Sequence, residues 1–189
     1  MENKYYPWGG EFTSCNENSC IAVVLLTIDY TPKNKVAIFG SLKTENIGIE
    51  KIVANIISNP NIRYLVICGD EIRGHRSGSS LIALNKNGIN NQHRIIDAPG
   101  AIPYIENLNI DAIERFRKQI EIVDLIGTKD KDKIDKIIEE YINKSPPSFG
   151  KPYIAIKIIT KIATLINDKR ALHSKIVINY LGKIKKRGK

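Results

Sequence analysis

One histidine in this chain sits where it could do chemistry. His75 lies in the run Gly69-Asp70-Glu71-Ile72-Arg73-Gly74-His75-Arg76-Ser77-Gly78, between glycines that let a loop turn sharply and leave a side chain exposed. A neutral imidazole is a good ligand for borderline transition metals. A single histidine with no second protein ligand nearby does not hold a bare metal ion. It can serve as an axial ligand to a metal already held in a macrocycle, or it can be a surface residue with no role. The spacing His75-x-x-Gly78 matches half of the Asp-x-His-x-x-Gly loop of cobalamin-binding modules. Position 73 is Arg, so a partner orienting the ring must come from elsewhere: Glu71, a backbone carbonyl or water. His93 and His173 lack such a setting and are expected to face solvent.

Two further loops carry the same character. Gly40-Ser41-Leu42-Lys43-Thr44-Glu45-Asn46 and Ala98-Pro99-Gly100-Ala101-Ile102-Pro103 combine glycines with groups that can face a ligand, and each leads towards a helix start. Glu45, Asp70 and Glu71 are candidate pocket carboxylates or helix caps. Tyr5, Tyr6 and Trp8 could cover a planar ligand or pin an N-terminal arm to the core.

The elements that must position these loops alternate. Ile21–Ile28, Val36–Phe39, Tyr64–Cys68, Arg94–Ala98 and Ile122–Ile126 read as strands. Ile49, Ile52, Val53, Ile56 and Ile57 mark one face of a helix opening near Thr44. A second helix runs to Asn87 with Gly88 as its stop, and a third follows the cap Asn109. Ile134, Ile137, Ile138, Tyr141 and Ile142 mark a fourth. This order predicts an α/β, Rossmann-like fold, with a mostly parallel sheet flanked by helices. Ligands of such sheets bind outside the carboxyl ends of the strands, where the three loops are expected to form one crevice.

Composition excludes several classes. The 189 residues carry a net charge of +9, but the excess is local: residues 1–150 sum to −1 and residues 151–189 to +10. A neutral body argues against nucleic-acid binding. Three cysteines (Cys15, Cys20, Cys68) make no disulfide framework or zinc site, which points to a reducing, cytoplasmic setting. Cys68 ends an apolar run and reads as a small core residue. No secretory leader and no span of about 18 apolar residues is present. GxGxxG and GxxxxGK[ST] are absent, and Ser79-Ser80 lack a base at recognisable spacing. The charge shift after Ser145-Pro146-Pro147 predicts a body over 1–150 and a basic extension over 151–189. In that extension Tyr153–Ile158 reads as a strand, and about 159–183 as an amphipathic helix packed on the body first, then lying on a membrane or partner surface, and last binding nucleic acid.

Four motifs in order carry a resemblance: Lys43-Thr44-Glu45-Asn46-x-Gly48-Ile49-Glu50-Lys51, Ser58-Asn59-Pro60-Asn61-Ile62-Arg63, Gly74-His75-x-x-Gly78 and Gly100-Ala101-Ile102-Pro103-Tyr104. From Trp8 to Phe149 the chain resembles the A subunits of tetrahydromethanopterin S-methyltransferase from methanogenic archaea. The resemblance implies a cobamide carrier. In that family, cobalt accepts a methyl group from N5-methyl-tetrahydromethanopterin and passes it to coenzyme M within a sodium-pumping membrane complex. It implies His75 as axial ligand to the cobalt. The cofactor contacts expected with it are Ser41, Lys43, Thr44, Glu45 and Asn46, then Gly69, Glu71, Gly74 and Gly78, then Pro99, Gly100, Ala101, Ile102 and Pro103. Expected partners are other methyltransferase subunits or a soluble methyltransferase, without which the chain is inactive. The family's C-terminal transmembrane helix has no counterpart, which predicts a soluble homologue, cytoplasmic or peripheral to the membrane through its basic tail. An alternative of another class is an interaction or corrinoid-sensing module that keeps the fold, binds a partner through the tail and transfers no methyl group.

Overall fold

The structure, a computed structural model, describes residues 5–156, 176–178 and 184–186. Compact units divide at Met1–Ile158 and Ile159–Lys189. The first contains the strands β1 (Phe12–Ser14), β2 (Ile21–Leu25), β3 (Ile38–Ser41), β4 (Tyr64–Gly69) and β5 (Glu121–Ile126). Its helices are α1 (Ile47–Ser58), α2 (Ser77–Asn87), α3 (Ile110–Gln119) and α4 (Lys131–Asn143). In the second, β6 (Ile176–Ile178) pairs antiparallel with β7 (Ile184–Lys186).

The five strands form one sheet in the order β1-β3-β2-β4-β5. All neighbours are parallel except β1, which runs antiparallel along β3. This is the expected α/β architecture. Its strands are continuous apolar runs because both faces are covered. Ala22, Val24, Leu65 and Ile67 face a core shared with Ile49, Val53, Leu81, Leu84 and Phe116 of α1, α2 and α3. Ile21, Val23, Val66 and Cys68 face Ile134 and Ile138 of α4. The period of two along each strand assigns these sides. From β2 the chain turns towards β3, whereas from β4 it turns towards β5. The switch point therefore lies between the carboxyl ends of β2 and β4.

Three expectations change. Arg94–Ala98 is not a strand of the sheet; residues 88–109 connect α2 to α3 and carry only the isolated bridges Ile89↔Ile95 and Arg94↔Tyr104. Left-handed φ at His93 (61°) and Asp97 (57°) breaks the extended run. Tyr153–Ile156 forms no strand either. Ile176-Val177-Ile178 is strand rather than helix, in keeping with three consecutive β-branched residues. The rest of the predicted helix at 159–183, His173 included, lies outside the described residues, as do Lys157 and Ile158.

The end of the first unit is fastened rather than loose. Arg115 donates to the carbonyls of Phe149 (2.6 Å) and Lys151 (2.9 Å), and Arg63 to that of Pro147 (2.8 Å). Both guanidinium groups stack on the Phe149 ring. The Tyr153 N–H donates to the Ile57 carbonyl at 3.1 Å. The buried Gln119 side chain donates to the Asn59 and Ile62 carbonyls (3.0 Å each), satisfying the turn after α1.

Candidate functional site

Asn46, not Thr44, begins α1: its side chain accepts from the Ile47 N–H at 2.7 Å. Glu45 is thereby left outside the helix, and its side chain is turned inwards and buried. Its Oε1 accepts the N–H groups of Ala101 and Ile102, both at 3.1 Å. Its Oε2 lies 3.2 Å from Nδ1 of His75. The imidazole itself is 56% exposed. Burial works to raise the pKa of Glu45, but the backbone N–H groups of Glu45 itself and Ile102, and then His75, outweigh it; the net shift is downward. An ionised carboxylate only accepts, so Nδ1 of His75 donates to it, and in the neutral ring the lone pair then lies on Nε2. Nε2 has no hydrogen-bond partner among the described residues.

The partner of the ring is thus Glu45 rather than Glu71. Glu71 accepts from the N–H groups of Gly78 (3.2 Å) and Ser79 (2.5 Å), capping α2. The residue ahead of that helix, Arg76, lies in the left-handed region at φ 45° and makes no side-chain cap of its own. Gly74, at φ 92°, turns the chain ahead of His75.

The third loop reaches the site as part of the α2–α3 connection. Gly100 packs against both other loops: a Cβ there would meet Ser80 Oγ at 2.7 Å, the His75 carbonyl at 2.8 Å and Glu45 Cγ at 2.9 Å. The Gly100 N–H also donates to Ser80 Oγ at 3.2 Å. Pro99, Ala101 and Ile102 are exposed, whereas Pro103 is buried and its carbonyl accepts from Ile95. The structure therefore joins Glu45, His75, Gly100, Ala101 and Ile102. Gly69 and Gly78 act one layer below: a Cβ on either would strike Ile28 or Leu26. Ser41, Lys43 and Thr44 line a separate cleft beside α1.

Sequence reading missed Glu50 and Ser80. Glu50 is buried, and its carboxylate accepts from the N–H groups of Glu106 and Asn107 and from the Asn107 side chain at 2.6 Å. Two glutamates at the start of one helix thus hold both ends of the 101–107 segment. The signal was an acid one turn ahead of Val53 and two ahead of Ile57, on the buried face of α1. Tyr5 and Tyr6 are core residues, so the arm is pinned. His93 is exposed, with Nδ1 2.9 Å from the Ile105 carbonyl.

Residues 2–164 match the MtrA family, the A subunits of tetrahydromethanopterin S-methyltransferase. The chain belongs to this family. It is 53% identical over 123 residues to the first of the A subunits of tetrahydromethanopterin S-methyltransferase in Methanothermobacter marburgensis, 65% of this chain and 52% of that one. It is 45% identical over 166 residues to the A subunit of Methanocaldococcus jannaschii, 82% and 69% of the two chains. It is also 46% identical over 138 residues to a protein of Methanosarcina acetivorans named as the candidate A subunit of a methyltransferase Mtx, 73% and 70% of the two chains. The chain therefore spans about half to seven-tenths of these relatives. Members of the family are methyltransferase subunits by name.

The cofactor implied by the family can be tested against this site. Among the described residues no group of three or more His, Cys, Asp or Glu side chains could hold a metal ion. A lone, exposed imidazole with its outer nitrogen bare fits a metal brought in a macrocycle. Ile47, Ile72 and Ile102 are exposed on the segments around His75, at 40%, 38% and 59%. Large aliphatic side chains left exposed on these segments fit a partly apolar ligand. Among the described residues no helix is long and apolar enough to cross a membrane.

Proposed function

We propose that the chain is a cobamide-binding methyl carrier, working with other methyltransferase subunits or a soluble methyltransferase. The observation that carries this reading is the His75–Glu45 pair, with Nε2 bare on an exposed ring. A bound cobamide supplies a cobalt centre able to take a methyl group from N5-methyl-tetrahydromethanopterin and release it to coenzyme M.

This chain's residues position and tune. His75 would offer Nε2 to the metal of a bound cobamide. Glu45 fixes the tautomer and the orientation of the ring, as carboxylates do for metal-bound imidazoles. Because Glu45 also holds Ala101 and Ile102, the ring and the 98–103 loop keep a fixed relation. The glycines of the loops bring backbone close to the ligand. The setting is cytoplasmic, or peripheral to a membrane through the basic extension. A body followed by a basic extension is the organisation we retain.

The test is spectroscopic. Protein mixed with cobalamin and desalted should retain the corrinoid and its visible spectrum. His75→Ala should shift the cobalt bands while keeping much of the corrinoid, since other contacts remain. No co-elution overturns corrinoid binding; an unshifted spectrum removes His75 as ligand. Retained corrinoid without methyl transfer to a thiol, in the presence of partner subunits, would favour a sensing module.

A further inference from the structure

A cleft of about 320 Å³ lies between α1 and the β1–β3 margin of the sheet. Helix–sheet interfaces normally close to the density of organic crystals, so an opening of this size against central strands is a departure. The volume falls in the range of small-molecule sites, about 300–1,000 Å³. Ala22, Val24 and Leu65 of the sheet and Ile52 and Ile56 of α1 are among its lining residues. An aliphatic lining of this kind suits an apolar group.

The mouth is different. Lys43 and Lys51 stand there with Glu11, which is ion-paired to Lys43. The Lys43 ammonium, through its hydrogen bond and its charge, holds the Glu11 carboxyl below its ordinary value. Lys51 has no ion-pair partner among the described residues. Its ammonium, one turn into α1, shares the mouth with the helix's positive end. Glu45, His75 and the 98–103 loop take no part in the lining.

We propose that this cleft binds a flat aromatic group carrying an anionic end, with the ring between α1 and the sheet and the anion at Lys51 and Lys43. The chemistry has two sources: the nucleotide end of a cobamide, or a separate aromatic anion. The proposal does not depend on His75.

The probe is 8-anilinonaphthalene-1-sulfonate, titrated into the full chain and followed by fluorescence. One saturable site per chain is expected. Lys51→Glu should weaken it about tenfold. Ile52→Trp should fill the slot and abolish it at an unchanged melting temperature. If Ile52→Trp does not fold, Lys51→Glu alone decides, since it alters a charge at the mouth. No saturable signal, or equal affinity in the variants, overturns the proposal. Cobalamin and cobinamide, which lacks the nucleotide, separate the sources. Displacement by cobalamin alone assigns the site to the nucleotide, and displacement by neither assigns it to a separate anion. Displacement by both overturns the cleft, because the probe would then report the corrin surface.

Discussion

The Nδ1 atom of His75 lies 3.2 Å from the Oε2 atom of Glu45, across 30 residues of chain. The same carboxylate accepts two N–H groups of the 98–103 loop. Removing it takes the shared acceptor from both N–H groups and from the imidazole, about 0.5–1.5 kcal/mol per bond. Glu45→Ala should lower the melting temperature and speed hydrogen exchange at Ala101 and Ile102. Glu45→Gln keeps a carbonyl acceptor and should be milder. Unchanged exchange in Glu45→Ala would show that the loop is held by other bonds.

Gly100 has no room for a side chain. Gly100→Ala places a methyl group within 3 Å of Ser80 Oγ and the His75 carbonyl. Overpacking of this kind costs about 1–3 kcal/mol. The variant should also bind corrinoid more weakly than the parent, because the collision pushes His75. A variant with parental stability and affinity would show that the loops move apart freely.

The sheet was legible because strands buried on both faces spell out apolar runs, as in Ile21–Leu25 and Tyr64–Gly69. The caps Asn109 and Gly88 were legible for the same local reason. The 88–109 connection was not. Its apolar residues Ile95 and Ile105 are buried, yet two left-handed residues decide its path. Of the site, His75 and its three loops could be read from glycine spacing and motif. Its partner could not, because Glu45 reaches His75 only after α1 begins one residue later and turns that side chain inwards.

The three thiols should differ sharply. Cys15 is exposed, while Cys20 and Cys68 are buried. Burial pushes the Cys68 thiol up to about 12, and the Cys20 thiol upwards as well. Thiolate is the reactive form, so iodoacetamide at pH 8 should modify Cys15 alone in the native chain. Mass spectrometry of tryptic peptides measures this, and early labelling of Cys68 would contradict its burial.

Alkali should loosen the N-terminal arm and the core together. Burial raises Tyr6 to about 12, against the lowering effect of its bond to Asn59. Cys68 is raised to a similar value. For both groups the folded state favours the protonated form. Their contribution is complete below the ordinary values and is lost as pH rises through the folded ones. Melting temperature should therefore fall between about pH 9 and pH 12, with Tyr6→Phe flattening part of the slope. A flat profile for the parent would refute the shift.

The fastening at the end of the first unit should be breakable at one residue. Arg115→Ala removes the donors to Phe149 and Lys151 and one face of the stack on the Phe149 ring. Limited proteolysis should then cut between residues 145 and 156 at least several-fold faster than in the parent. Equal cleavage would mean that Arg63 and Tyr153 suffice.

That fastening has a practical corollary for anyone dividing the chain. Scissors placed at Gly150 would pass through the clasp itself, discarding the Lys151 carbonyl and the Tyr153 N–H that close it. A cut after Ile156 would leave the clasp shut. Any foreign segment grafted there would set out from a fixed anchorage, not from a swinging hinge.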